Sequence, residues 1–425
     1  MGIYLTVKEE KYFFPFIDRY SKNVLNEIER IENQIQEVQH SAQKMKIHNQ
    51  LATIEGQGKI KIFVNLFADC CNDLPNAFWK REKDEISLPF RKDTLIVPKR
   101  SKVVPMNFSE LERCHTEIDS LKQKGLIQDS HSEWGCFSFY VNKHAEIIRG
   151  VPRLAVNYKP LNDMLEYDSY PIPKPTVILA NLKDSYIFSK FDLKSEFWQI
   201  GIKDSEKYKT GFTVPGGHYE WNVMAFGLMN APSVFQRIVE KRFKRMQKFL
   251  EVYIDDILIH SKTIADHEIH LQKFHERVYK TCCVLSQKKM ELFKTTVNYL
   301  GYTISEGKIT IMQHSLDFVA NFPDEILEKQ QLQIFLGSLN YLSESYKECA
   351  KDRKFLNLRL KDNPIPSNNQ MTEAVKTIKG KLKTLPLLSI INENWKKVIF
   401  TDASNIGWGA ALTQENPATG LHKLC

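Results

Sequence analysis

A chain of 425 residues, 42% hydrophobic and 11% aromatic, is long enough for two or three domains with their own cores, which excludes a disordered chain. Its formal charge of +8, from 59 Lys and Arg against 51 Asp and Glu, favours polyanionic partners through steering rather than through any one contact. Eight cysteines without a C-x-x-C pair argue against a zinc knuckle or a secreted disulfide framework, and no signal-peptide core or bilayer-length apolar run is present.

Residues 1–90 differ in character from the rest. Val24, Ile28, Ile31, Ile35 and Val38 recur at steps of four and three, which predicts an amphipathic helix over 24–38. Such a helix packs on the body of the protein or seams with a protein partner. Ile60 to Phe67 reads as a strand from its β-branched and aromatic content, and Lys80 to Glu85 as a charged connection.

Pro89, Pro98 and Pro105 punctuate an extended stretch before a helix with Ser109 as its N-cap. Leu111, Cys114, Ile118 and Leu121 form its apolar stripe and Gly125 its C-cap, so Cys114 reads as core. Trp134 to Val141 and Arg153 to Asn157 read as strands around a turn-rich segment carrying Lys143, His144 and Arg149. Those cations are either solvated or placed to reach a phosphate.

Tyr186 to Leu193 is a strand whose end carries Asp192, followed by a tight turn or helix through Ile200. An acid in an apolar strand is costly unless it is paired or bound to metal. Phe226 to Gln236 reads as a loop and helix entry with Pro232 at the first helical position. The basic run Arg237, Lys241, Arg242, Lys244, Arg245 and Lys248 follows as a solvated face or a phosphate contact. Phe249 to His260 is a hairpin with Asp255 and Asp256 as its turn. Two adjacent acids there are either an ordinary solvated turn or, joined by Asp192, a three-carboxylate site for Mg²⁺ or Mn²⁺.

The Tyr253-Ile254-Asp255-Asp256 box and the Phe191-Asp192 strand resemble the reverse transcriptases. Trp134-Gly135-Cys136, Arg153 through Asn162, Phe226-Gly227-Leu228, Leu300-Gly301-Tyr302 and Phe335-Leu336-Gly337 extend that resemblance over roughly residues 95–412. Phe188 to Ser195 and Phe197-Trp198-Gln199 are most similar to the plant pararetrovirus type of caulimoviruses and badnaviruses, with gypsy-type retrotransposons as the nearest rivals.

The resemblance implies an α+β right-hand fold of fingers, palm and thumb with an antiparallel palm sheet. It divides the chain into an extension at 1–90, fingers and palm at 91–310, thumb and connection helices at 311–385, and an RNase H-like α/β fragment at 386–425. It implies Asp192, Asp255 and Asp256 as catalytic metal ligands for two Mg²⁺ ions, with Mn²⁺ as the substitute. Arg153, with Lys143 or Arg149, matches the triphosphate grip. Phe197 matches the bulky residue beneath the deoxyribose, Phe226 and Gly227 the base and sugar surface, and Lys288 the lysine beside the leaving pyrophosphate. Leu300, Gly301 and Tyr302 match the primer grip. Glu196 stands where the family usually has Gly, and Ala225 where it has Pro.

Val398 to Leu412 resembles the opening hairpin of a ribonuclease H, with Asp402 as the first acid of an incomplete site, so nuclease activity is not expected. The expected function is an RNA- and DNA-directed DNA polymerase acting on a primed template with dNTPs, cytoplasmic or virion-associated. The alternative is a catalytically degenerate, genome-integrated remnant that binds nucleic acid or protein.

Overall fold

The computed structural model describes residues 2–7, 10–15, 38–71, 84–100, 102–141, 152–182, 185–305, 308–342, 349–361, 368–382, 388–389, 396–404, 407–415 and 422–424. They fall into two compact units. One comprises Leu51–Lys174 and Ile187–Lys294; the other comprises Met1–Gln50, Pro175–Tyr186 and Thr295–Cys425.

The first unit is built on a four-stranded antiparallel sheet in the order Leu250–Tyr253, Asp256–Ser261, Ile187–Asp192, Glu291–Lys294. Ile257, Leu258 and Ile259 are fully buried in succession, so these strands read as unbroken apolar runs instead of alternating. Helices Ala231–Phe243 and Ile264–Thr281 pack against the sheet. Thr263 caps the second by accepting from the Asp266 N–H.

A third helix, Ile54–Ala68, corrects the expected strand over 60–67. The β-branched run favours a strand locally, but Phe63 and Phe67 stand one turn apart and bury a single stripe, while Ile62 stays 65% exposed. Phe67 meets Phe191 at 4.8 Å and Phe274 at 5.9 Å between ring centroids, and Phe191 meets Phe274 at 4.7 Å.

A five-stranded sheet follows the order Ile127–Asp129, Gly217–Trp221, Phe212–Val214, Cys136–Val141, Arg153–Val156, with one parallel pair between the third and fourth. Helix Phe108–Gln123 lies beside it in sequence, with Asn107 and not Ser109 as its N-cap. Asn107 accepts from the Glu110 N–H while Glu110 accepts from the Asn107 N–H, a reciprocal capping box that Ser109 is one turn position too late to make. Cys114 is fully buried as expected, and Gly125 takes φ 65° just beyond the helix end.

In the second unit, Thr296–Tyr299, Tyr302–Ser305, Lys308–Ile311 and Leu388–Ser389 form an antiparallel sheet. Leu300 and Gly301, at φ 49° and 80°, make a two-residue turn of the kind that matches strand twist. Helices Gln313–Ala320, Lys329–Leu342, Cys349–Asp352, Lys354–Lys361 and Asn369–Leu382 close on a core that includes Val319, Leu332, Phe335, Leu339, Val375 and Ile378.

Strands Lys396–Ser404 and Gly407–Glu415 pair along their whole length, Asp402 opposite Gly409. The expected 24–38 helix lies outside the described residues except for Val38, which is 67% exposed. Among the described residues no helix is long and apolar enough to cross a membrane, and seven cysteines are free.

Candidate active site

Tyr253 pairs with Asp256, leaving only Ile254 and Asp255 for the turn. This corrects the expectation that both acids form it: Asp256 already opens the returning strand. Ile254 has φ 53°, a left-handed conformation that costs a β-branched residue about 1–3 kcal/mol and persists only where neighbours enforce it. The Gln236 Oε1 accepts from the Ile254 N–H at 2.6 Å, and Gln236 Nε2 donates to the Val252 carbonyl at 3.0 Å. On the other side the Leu193 N–H donates to the Asp255 carbonyl at 2.9 Å.

Asp192 ends its strand as the register partner of Asp256, and it is 5% exposed. Like charges directly opposite in a sheet repel. Lys289 Nζ donates to Asp192 Oδ2 at 2.6 Å, and Lys190 Nζ lies 3.5 Å from Asp256 Oδ1. The Lys289 pKa is raised by that hydrogen bond above all. Burial raises the Asp256 carboxyl pKa, with Lys190 opposing it. Asp255 is pushed up to about 7, chiefly by burial and then by the charges of Glu196, Asp256 and Asp192.

The ammonium that bonds Asp192 is that of Lys289, the neighbour of Lys288, and both lysines are exposed. Both lie on the short turn Gln287–Lys289, and only the last residue of that turn faces Asp192. The Ser286 N–H bonds the Asp192 carbonyl at 2.8 Å and fixes this approach.

Among the described residues no three His, Cys, Asp or Glu side chains form a ready metal cluster. The donor chemistry nevertheless fits a hard divalent cation. Three carboxylates share one end of the sheet, and burial above all, then the charges of Glu196, Asp256 and Asp192, raises the Asp255 carboxyl pKa, a penalty that a cation would relieve. Lys289 would have to leave Asp192 to make room.

Phe197 is 8% exposed on the short helix Glu196–Gln199 and lies 5.1 Å from the ring of Phe226, which is 43% exposed. Gly227 has φ 90°, and a Cβ there would sit 3.4 Å from the Val156 carbonyl. The Asn162 amide bridges this loop, donating to the Gly227 carbonyl and accepting from the Met229 N–H, both at 2.9 Å. Glu196 has φ 30°, and Ala225 is fully buried.

Arg153 opens its strand as the partner of Val141, while Lys143, His144 and Arg149 lie outside the described residues. Leu300 and Gly301 form a turn and Tyr302 opens the strand after it, in the other unit, which also holds the Asp402 strand. The basic run does not share one role. Arg242 is buried and bonds Asp84 at 2.9 Å and Cys283 Sγ at 3.3 Å, so it is neither solvated nor free for phosphate. Arg237 pairs with Asp168 at 2.7 Å, and Lys241, Lys244, Arg245 and Lys248 are exposed. Asn230 precedes the helix, which places Pro232 at its second position.

Lys190, Asn162, Gln236 and Lys289 escaped the sequence reading. Gln236 alone carried a signal, a polar amide among apolar residues at helical spacing.

Residues 141–304 match the family described as reverse transcriptase (RNA-dependent DNA polymerase), and residues 368–425 match an RNase H-like domain found in reverse transcriptase. The chain is 37% identical over 377 residues to the genome polyprotein of Petunia vein clearing virus, covering 89% of this chain and 17% of that protein. It is 34% identical over 406 residues to the enzymatic polyprotein of Cauliflower mosaic virus, covering 93% and 58%. The chain thus spans well under two thirds of either relative. A foamy viral protease-reverse transcriptase solved with double-stranded DNA superposes with a TM-score of 0.74 at 19% identity, over 90% of this chain and 67% of that one. The same foamy viral enzyme with an RNA/DNA hybrid gives 0.72 at 18%, over 90% and 51%. These two likenesses establish the fold.

Proposed function

We propose that this chain, whose residues 141–304 match the reverse transcriptase family, extends a primer on an RNA or DNA template using dNTPs. The observation that carries the reading is the convergence of Asp192, Asp255 and Asp256 at one end of the sheet, with Asp255 pushed up to about 7 by burial and by its acidic neighbours.

In the reaction the primer 3′-hydroxyl loses its proton to solvent and its oxygen bonds the α-phosphorus, the bond from that phosphorus to the α–β bridging oxygen breaks, and pyrophosphate leaves. Asp192, Asp255 and Asp256 would hold two Mg²⁺ or Mn²⁺ ions, which would supply charge neutralisation to the phosphoryl transfer. The protein's own part is to place and to exclude. The Phe197 ring, backed by Phe226, fills the space beneath the sugar and disfavours a 2′-hydroxyl. Gly227 brings backbone close to the base, and Lys289, in place of Lys288, offers its ammonium to the pyrophosphate.

Primer extension on an RNA template by the wild type and by Asp255→Asn tests the reading. Extension by the first and its loss in the second is the expected result, and equal extension by both sinks it. Glu196 favours a second reading, a non-catalytic nucleic-acid binder, because its charge adds to the repulsion on Asp255. Retention of primed template on a filter, with no extension even after Glu196→Gly, is the outcome that would select it.

A further inference from the structure

Gln236 is fully buried on the helix Ala231–Phe243, and its amide makes three hydrogen bonds. Oε1 accepts from the Ile254 N–H at 2.6 Å; Nε2 donates to the Val252 carbonyl at 3.0 Å and to Glu240 Oε1 at 2.7 Å. Glu240 stands one turn further along the same helix, and its other oxygen accepts from the Tyr170 hydroxyl. The Tyr170 ring lies 5.7 Å from the guanidinium carbon of Arg237, which Asp168 holds at 2.7 Å. An unbroken polar chain therefore runs from a partly exposed carboxylate to the turn that carries Asp255.

We propose that Gln236 is a positioning residue for Asp255, and that Glu240, steadied by Tyr170, fixes which way the Gln236 amide faces. An amide is nearly symmetric in shape but not in function, so a turn held by one can be held in two ways. With the amide reversed, Oε1 would face the Val252 carbonyl and the Glu240 carboxylate, while Nε2 would face the Ile254 N–H. Acceptors would oppose acceptors and a donor a donor around an amide that is itself fully buried. An ionised carboxylate accepts only, and Glu240 therefore adds to the Val252 carbonyl and the Ile254 N–H in rejecting the reversed amide. The bond to the Ile254 N–H then survives, and with it the positive φ that aims the next residue, Asp255.

The activity arm of the test rests on the polymerase reading, whereas an exchange arm does not. Four proteins are compared: wild type, Gln236→Met, Glu240→Lys and Glu240→Gln. A lysine at 240 offers only donors and favours the reversed amide, while a glutamine there can still accept from Nε2. Glu240 is partly exposed, so its variants are expected to fold with an unchanged Tm.

The expected result is a fall in kcat of about tenfold or more for Gln236→Met and Glu240→Lys, with KM for dNTP within about twofold, since a small misplacement at the chemistry acts on the chemical step. Hydrogen exchange at the Ile254 amide should speed up in the same two variants, and Glu240→Gln should recover most of both losses. Full kcat and unchanged Ile254 exchange in Glu240→Lys would overturn the proposal, as would a kcat loss that merely tracks a lowered Tm. A wild type that does not extend primers defeats the polymerase reading, and the exchange arm still decides the lock.

Discussion

Asp192 and Asp256 stand opposite each other on neighbouring antiparallel strands, and a different lysine meets each of them, Lys289 at 2.6 Å and Lys190 at 3.5 Å. Facing carboxylates at the end of a buried sheet are tolerable because positive charge is supplied from two directions. The strand supplies one, since Lys190 lies two residues before Asp192, and the turn Gln287–Lys289 supplies the other.

Lys289→Ala removes the donor from a carboxylate that is 5% exposed. Losing one partner of a charged hydrogen bond costs about 1–3 kcal/mol when the other is buried, and the exposure of the lysine itself places the expected loss toward the lower end. Urea unfolding in metal-free buffer should show a lower midpoint, while Lys288→Ala should leave it within error. Equal effects of the two variants would contradict the assignment.

Asp255 governs a pH dependence of stability. Its folded pKa of about 7 lies above the 3.8 of an ordinary Asp, so the unfolded chain ionises first. Stability from this group is full below pH 3.8 and is lost as pH rises toward 7. Asp255→Asn abolishes the loss. In chelator at pH 8 the variant should be more stable than wild type by on the order of 2 kcal/mol, after allowance for solvent screening, and its advantage should fade toward pH 4. Matching unfolding curves at pH 8 would refute this.

The other end of the same sheet responds oppositely. His267 is fully buried between Ser189 Oγ and Ser261 Oγ, each 2.8 Å from a ring nitrogen, and Ser261 Oγ also meets His270 Nδ1 at 2.8 Å. Burial first, then His270 and His260, hold the His267 pKa down at about 3. The unfolded chain protonates near 6.5 and the folded one does not, so stability is full above pH 6.5 and falls as pH drops toward 3. One such histidine contributes a slope of up to about 1.4 kcal/mol per pH unit. A His267→Gln protein should show a shallower decline between pH 6 and 4, read from denaturant midpoints; an unchanged slope would count against the buried neutral ring.

Phe67 tests the helix that replaced an expected strand. Phe67→Ala should cost about 3–5 kcal/mol because the side chain is fully buried against Phe191 and Phe274, whereas Ile62→Ala on the exposed face should cost under about 0.5 kcal/mol. Similar costs at both positions would contradict a helix that buries Phe67 and leaves Ile62 in solvent.

Local chemistry made much of this legible. Apolar runs interrupted by acids located the Asp192 strand and the 250–261 hairpin, because a carboxylate among β-branched residues has few tolerable explanations. Helix Phe108–Gln123 was readable from its stripe, although its cap moved to Asn107 once the reciprocal bond with Glu110 was seen. The strand expected at 60–67 failed for the opposite reason. Its propensity was real, but packing of Phe63 and Phe67 outweighed it.

By itself the sequence determined which acids exist and that they stand at the ends of apolar strands, while Phe197, Phe226 and Gly227 were marked out only by the resemblance to reverse transcriptases. Only the tertiary structure decided the arrangement. It opened the returning strand at Asp256, set Lys289 on Asp192, buried Arg242 against Asp84 and brought Gln236 to the Ile254 N–H. Each of these is a contact between residues distant in sequence, set by how sheet and helices close on one core, and no local propensity encodes it.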